Sequence, residues 1–215
     1  MAICVAPGEV SRMARQDRGS HRHVAGMDEL AERIAAAVAE DGWSELLEGL
    51  YLVRRSTPSG PLFGVSEPTL CVVAQGSKEV QLGDSRFGYD PAHYLLATAQ
   101  LPIVTQVVEA TPELPFLGVV IHLDLVLVGS VMVESGQVAR NSPAARAVQV
   151  SPLDAGLLDA ILRLIRLADS PEEVGFMMPL IKREIAYRLL KGDQGDRLRE
   201  IVLQGGHTSR IAQAL

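Results

Sequence analysis

The chain has 215 residues, 47% of them hydrophobic and 21% charged, with a net charge of −6 and a pI near 5.4. That length allows one large domain or two small ones with a full core. The acidic balance argues against this segment gripping a phosphate backbone, which needs a basic face. The excess acid lies in residues 1–150, because residues 151–215 balance nine acidic against nine basic side chains. Cys4 and Cys71 are too few for a disulfide framework and point to a reducing, cytoplasmic compartment. Cys71 sits in a strand pattern and reads as a small buried apolar residue. No signal peptide is expected: Met1–Pro7 is apolar but short, and no positive segment precedes it. The longest apolar stretch, Phe116–Val128, is broken by His122 and Asp124 and is too short for a membrane span.

Residues 1–26 lack an apolar period and read as a disordered leader. His21-Arg22-His23 has no third ligand nearby and reads as solvated. Met27, Leu30, Ile34, Ala37 and Val38 share one helical face, and Gly42 is the expected stop. Trp43 to Leu50 reads as a short apolar turn in which Trp43 packs. The β region then begins with Leu50–Arg54. Residues 70–98 follow as four short strands split by Gln75-Gly76-Ser77, Gly83-Asp84 and Asp90-Pro91. In Lys78–Leu82, Val80 and Leu82 point one way and Glu79 and Gln81 the other. Four such strands read as a β-meander within a barrel or sandwich. Ile103–Glu109 and Phe116–Leu123 bring the expected total to seven or eight strands.

Leu125–Val133 is β-branched, yet Asp124 before it is a good N-cap, so a helix is expected. Residues 135–148 read as a loop. From Ser151 the period turns helical, with Ser151 as N-cap and Pro152 at the first helical position. Leu157, Ile161 and Leu164 lie on its apolar stripe. Ser170-Pro171-Glu172-Glu173 reads as a capping box for the next helix, which Pro179 is expected to split and Gly192 to close. A further helix over 193–203 should end at Gly205-Gly206, with another capped by Thr208 or Ser209. Two wide helical stripes beside a small β domain suggest a helix-mediated homodimer.

Three stretches carry a resemblance. They are Leu70–Ile103, Ser151–Val174 and Pro179–Ile201, the last holding Lys182-Arg183-Glu184-Ile185 and Tyr187-Arg188-Leu189-Leu190. From about Leu50 to Leu215 the chain resembles the N-terminal part of AraC-type transcriptional regulators. The resemblance implies an α+β fold: a cupin-like antiparallel β-barrel or sandwich followed by a helical linker and dimerisation region. It implies residues 27–150 as helix plus barrel, 151–206 as the helical subdomain, and 207–215 as the start of a truncated helix-turn-helix domain. DNA would be contacted only through that missing domain.

Cupin-like barrels are often metal enzymes, so a dioxygenase or isomerase is the alternative. That chemistry needs two or three histidines and a carboxylate converging in the barrel. The β region offers only His93 and His122, and Gln75–Glu79 holds no His-x-His pair. No Gly-x-Ser-x-Gly or Gly-rich phosphate loop is present. The expectation is therefore no enzyme, no cofactor and no metal, with a small-molecule effector in the barrel. Candidate ligand-binding residues are Tyr89, His93, Tyr94, Gln106 and His122, of which His93 and Tyr94 face opposite sides. Arg54 and Arg55 could reach a carboxylate, although solvation is their plainer role. Lys182, Arg183 and Arg188, with Leu157, Ile161 and Leu164, are the candidate dimer or interdomain contacts. Glu184 and Arg188 stand at ion-pair spacing.

Overall fold

Alternation of side chains across each strand divides this protein into two apolar cores. The computed structural model describes residues 23–137 and 147–212. In chain order the elements are α1 (23–37), β1 (Gly42–Leu47), β2 (Leu50–Arg55), β3 (Leu62–Val65), β4 (Thr69–Gln75), β5 (Ser77–Leu82), β6 (Ser85–Tyr89), β7 (His93–Ala97), β8 (Pro102–Glu109), β9 (Phe116–His122), α2 (Leu125–Glu134), β10 (Val148–Pro152), α3 (Ala155–Arg166), α4 (Pro171–Lys191) and α5 (Gly195–Ala212). The strands form a six-stranded sheet, β1-β2-β9-β4-β7-β10, facing a four-stranded sheet, β3-β8-β5-β6. All pairings are antiparallel. The result is a sandwich; the sheets do not close into a barrel.

In β4, Leu70, Val72 and Ala74 face the helices, while Val73 joins the core between the sheets. In β7, Tyr94 and Leu96 go to the helices, and Leu95 and Ala97 go between the sheets. The register places Leu70 between Ile121 and Leu96. The six-stranded sheet is thus a wall with one face on each core.

Residues 70–98 do not form a meander. β5 and β6 are a hairpin turned by Gly83 and Asp84, but β4 and β7 lie side by side in the other sheet. Gly76, at φ +78°, is the corner where the chain leaves one sheet for the other. β1 replaces the expected turn after residue 42, and its Trp43 stays more than half exposed. β3 and β10 were also not anticipated. Their hydrogen-bond partners, β8 and β7, are distant in sequence, and pairing of that kind leaves no local signal.

α1 already covers residues 23–26, which were assigned to the leader; an atom added as Cβ on Gly26 would lie 2.9 Å from Leu158 Cδ2. His21 and Arg22 lie outside the described residues. Glu29 of α1 binds Arg33 and Arg166, and these hydrogen bonds hold its carboxyl down at about 2. α2 forms as expected, with Asp124 accepting from Val126 N at 2.8 Å and Leu127 N at 3.2 Å.

Ser151 and Pro152 belong to β10 instead of opening a helix, and Asp154 caps α3. The Ser170 side chain makes no cap hydrogen bond, so the capping box does not form, although Pro171 does open α4. Pro179 does not split α4. The carbonyl that loses its donor belongs to Gly175, which is exposed, so water can take its place. Gly192 closes α4 as expected. α5 runs through Gly205 and Gly206 without ending, and no new helix starts at Thr208 or Ser209. Glycine in a helix interior costs about 1 kcal/mol but does not forbid the helix.

Candidate functional site

The space between the sheets is not filled. A cavity of about 360 Å³ lies there, with β4, β5, β6, β7, β8 and β9 contributing its walls. Val80, Leu95, Ala97, Ile103 and Val120 make the walls apolar. Its mouth lies under Trp43 and the exposed strand β3, where Phe63 is 85% exposed.

Tyr89, Cys71 and Lys78 are among the polar side chains on these walls. The Tyr89 phenol and the Cys71 thiol interact, and burial pushes both pKa values up, so both are neutral at pH 7. The third is Lys78. Burial pushes its ammonium below the ordinary lysine range; nearby Cys71 opposes that shift and Arg55 adds to it. Lys78 keeps partial exposure through the cavity it lines. Its Nζ lies 5.9 Å from the Trp43 ring centroid, a cation–π contact. Among the described residues no carboxylate pairs with it.

Of the five candidate ligand residues, the structure brings two to this cavity. Tyr89 lies on its wall and His122 at its mouth, with His122 Nδ1 3.6 Å from Glu67 Oε2. His93 sits at a strand end, tied to Asp90 Oδ1 at 2.7 Å, and is not on the cavity wall. Tyr94 points the other way, into the helical core, and burial pushes its phenol up to about 12 against a hydrogen bond with Ser151. Gln106 alternates away from the cavity that Ile103 and Thr105 line. Sequence reasoning passed over Lys78 and Trp43. Lys78 had a signal: it is two residues before Val80, so it shares the inward face. Trp43 had none, since β1 itself was not legible.

The candidate contacts on the helices are taken up within the chain. Leu157, Ile161 and Leu164 are buried against the sheet and the other helices and offer no surface to a second copy. Lys182 Nζ donates to the Glu48 carbonyl at 2.7 Å. Arg183 donates to Ser130 Oγ at 3.2 Å and pairs with Glu134. Arg188 and Glu184 form the ion pair their spacing suggests, extended by Arg163. Lys182 also lines a second cleft, of about 570 Å³, between the β1–β2 turn and α4. That cleft carries Glu45, Glu48 and Asp124, and its lysine is already bound. Among the described residues, no three His, Cys, Asp or Glu side chains gather where a metal could sit, and no helix is long and apolar enough to cross a membrane.

A hollow antiparallel sandwich with helices covering one sheet defines a cupin-like module. Residues 46–197 match the family model described as AraC-type transcriptional regulator N-terminus. The chain belongs to that family and is a regulatory domain of its kind. Among solved structures it is similar to ToxT from Vibrio cholerae strain SCE256. An apo single-substitution variant of ToxT gives a TM-score of 0.45 at 7% identity, over 71% of this chain and 62% of that one. Wild-type ToxT bound to an unsaturated fatty acid gives 0.44 at 8% identity, over 70% and 59%. The AraC-like transcriptional activator CuxR gives 0.38 at 13% identity, over 67% and 51%. This chain therefore spans less than two thirds of each of these proteins. No curated protein sequence matches it.

Proposed function

We propose that this domain senses a small-molecule effector in the cavity between its sheets. The observation that carries the reading is that cavity: mostly apolar, about 360 Å³, and walled by strands of both sheets. Tyr89 and His122 are ligand contacts in this reading. Binding would bias the helices through the shared sheet, as a shift between pre-existing arrangements. DNA would be contacted by a helix-turn-helix domain outside this chain, in the cytoplasm. The family consists of regulators, which supports a non-catalytic domain over a dioxygenase or isomerase.

Trp43 is the single tryptophan and sits at the cavity mouth, so its emission reports occupancy. Titration with the neutral probe hydrocinnamyl alcohol should give a saturable change. Thr105→Phe, which fills the cavity from a half-buried wall position, should abolish it. An unchanged titration in Thr105→Phe would sink the cavity reading.

The dimer in this proposal forms through α4. Phe176, Leu180 and Tyr187 lie within about 40° of one another around the helix and are all exposed. Light scattering should find a dimer that Leu180→Asp converts to monomer. A wild-type monomer would remove dimerisation from the proposal.

A further inference from the structure

We propose that the effector is an apolar organic carboxylate whose head group docks on the Lys78 ammonium. The inference rests on the effector-cavity reading and specifies its chemistry. Lys78 stands on the inward face of β5, two residues before Val80, among apolar walls. An ammonium out of water is costly unless something pairs with it. The groups around it do not. Cys71 on β4 and Tyr89 on β6 are neutral, and Arg55 at the end of β2 carries the same sign as the lysine. Glu67, the carboxylate on the cavity lining, lies at the mouth toward His122. The Trp43 face offers only a cation–π contact. Among the described residues, the cavity wall thus carries one lysine amine that no carboxylate pairs with, and a bound anion would complete it.

The same page limits the ligand. One inward lysine suits a monoanion; a phosphate would bring a second charge and a third oxygen, and among the described residues no second Lys or Arg lines the cavity to meet them. The Tyr89 and Thr105 hydroxyls line the same cavity and can serve the other carboxylate oxygen, whereas Thr69 Oγ1 already donates to the Glu67 carbonyl at 3.1 Å. Val80, Leu95, Ile103 and Val120 require an apolar body. A cavity of about 360 Å³ sits at the small end of ligand pockets, which begin at about 300 Å³.

The test uses the full chain, Trp43 emission and two probes of matched size, hydrocinnamate and hydrocinnamyl alcohol, at neutral pH. Wild-type protein should prefer the carboxylate by about tenfold or more, the scale of a hydrogen bond to a charged group. Lys78→Met should bring that ratio to about one, and Lys78→Gln does the same where the methionine variant misfolds by circular dichroism. Equal binding of both probes to wild type overturns the carboxylate proposal and leaves the effector cavity standing. A preference that survives both substitutions also overturns it, because the anion is then held elsewhere. Binding of neither probe overturns the proposal together with the cavity reading.

Discussion

Replacing Gly76 with alanine should destabilise the domain by about 3 kcal/mol or more, enough to unfold a large fraction of a marginally stable chain. Two separate effects add. Gly76 has φ +78°, and a residue with Cβ pays about 1–2 kcal/mol there. The new Cβ would also stand 2.3 Å from the Glu109 carbonyl oxygen and 3.3 Å from Phe116 Cα. Both are backbone atoms of paired strands, so neither can rotate aside. Gln75 Nε2 donates to the Pro115 carbonyl at 2.7 Å, which pins the corner further. Gly83 supplies the control. Its φ is +56°, but nothing lies within 4 Å of its Cβ position. Gly83→Ala should therefore show the conformational cost alone, about 1 kcal/mol. Urea midpoints of the two variants measure the difference. Equal losses would mean that the corner relaxes and the close approach costs nothing.

That corner shows what was legible in the sequence and what was not. Gln75-Gly76-Ser77 is a turn signal in any reading, because glycine tolerates positive φ. Whether the turn makes a hairpin or a change of sheet depends on which strands pair afterwards, and pairing is not written locally. The same limit hid β10, which pairs with β7 across more than fifty residues of chain. Alternation, by contrast, is local. It separated His93 from Tyr94 and predicted the direction of Val80, and it also places Lys78 inward. Asp124 and the Glu184–Arg188 pair were readable for the same reason: their partners lie within four residues. The apolar stripes of α3 and α4 were readable as stripes, but not what they cover. They pack on the sheet and on each other, which leaves Phe176, Leu180 and Tyr187 as an exposed row on α4.

Ile161→Ala is expected to cost about 2–5 kcal/mol, and its effect should not stay in the helices. Ile161 is fully buried on α3, in one continuous core with Leu70 and Val119 of the sheet and Ile185 of α4. α5 and the turn before it tie in at the edge, where Gln194 Nε2 of the turn donates to Ser151 Oγ at 2.8 Å and Arg197 Nε of α5 to Thr98 Oγ1 at 2.7 Å. A shared core predicts one cooperative transition. Helical circular dichroism reports α3 and α4, and Trp43 emission reports the sandwich. Both curves should move together in Ile161→Ala, while Val126→Ala, 83% exposed, should stay within about 0.5 kcal/mol of wild type. A helical curve that shifts while the Trp43 curve stays put would make residues 151–206 a separate subdomain and leave the cavity with no route to the helices. Coincident curves carry the opposite consequence. β7 then couples the two sides strand by strand, with Leu95 and Ala97 on the cavity and Tyr94 on the helices, its hydroxyl 3.5 Å from the Cβ position of Gly192. A ligand present at a hundredfold its Kd would add about 2.7 kcal/mol to the whole unit. The helices would register that gain although no ligand touches them, which is the physical requirement for a domain that senses in one layer and signals from the other.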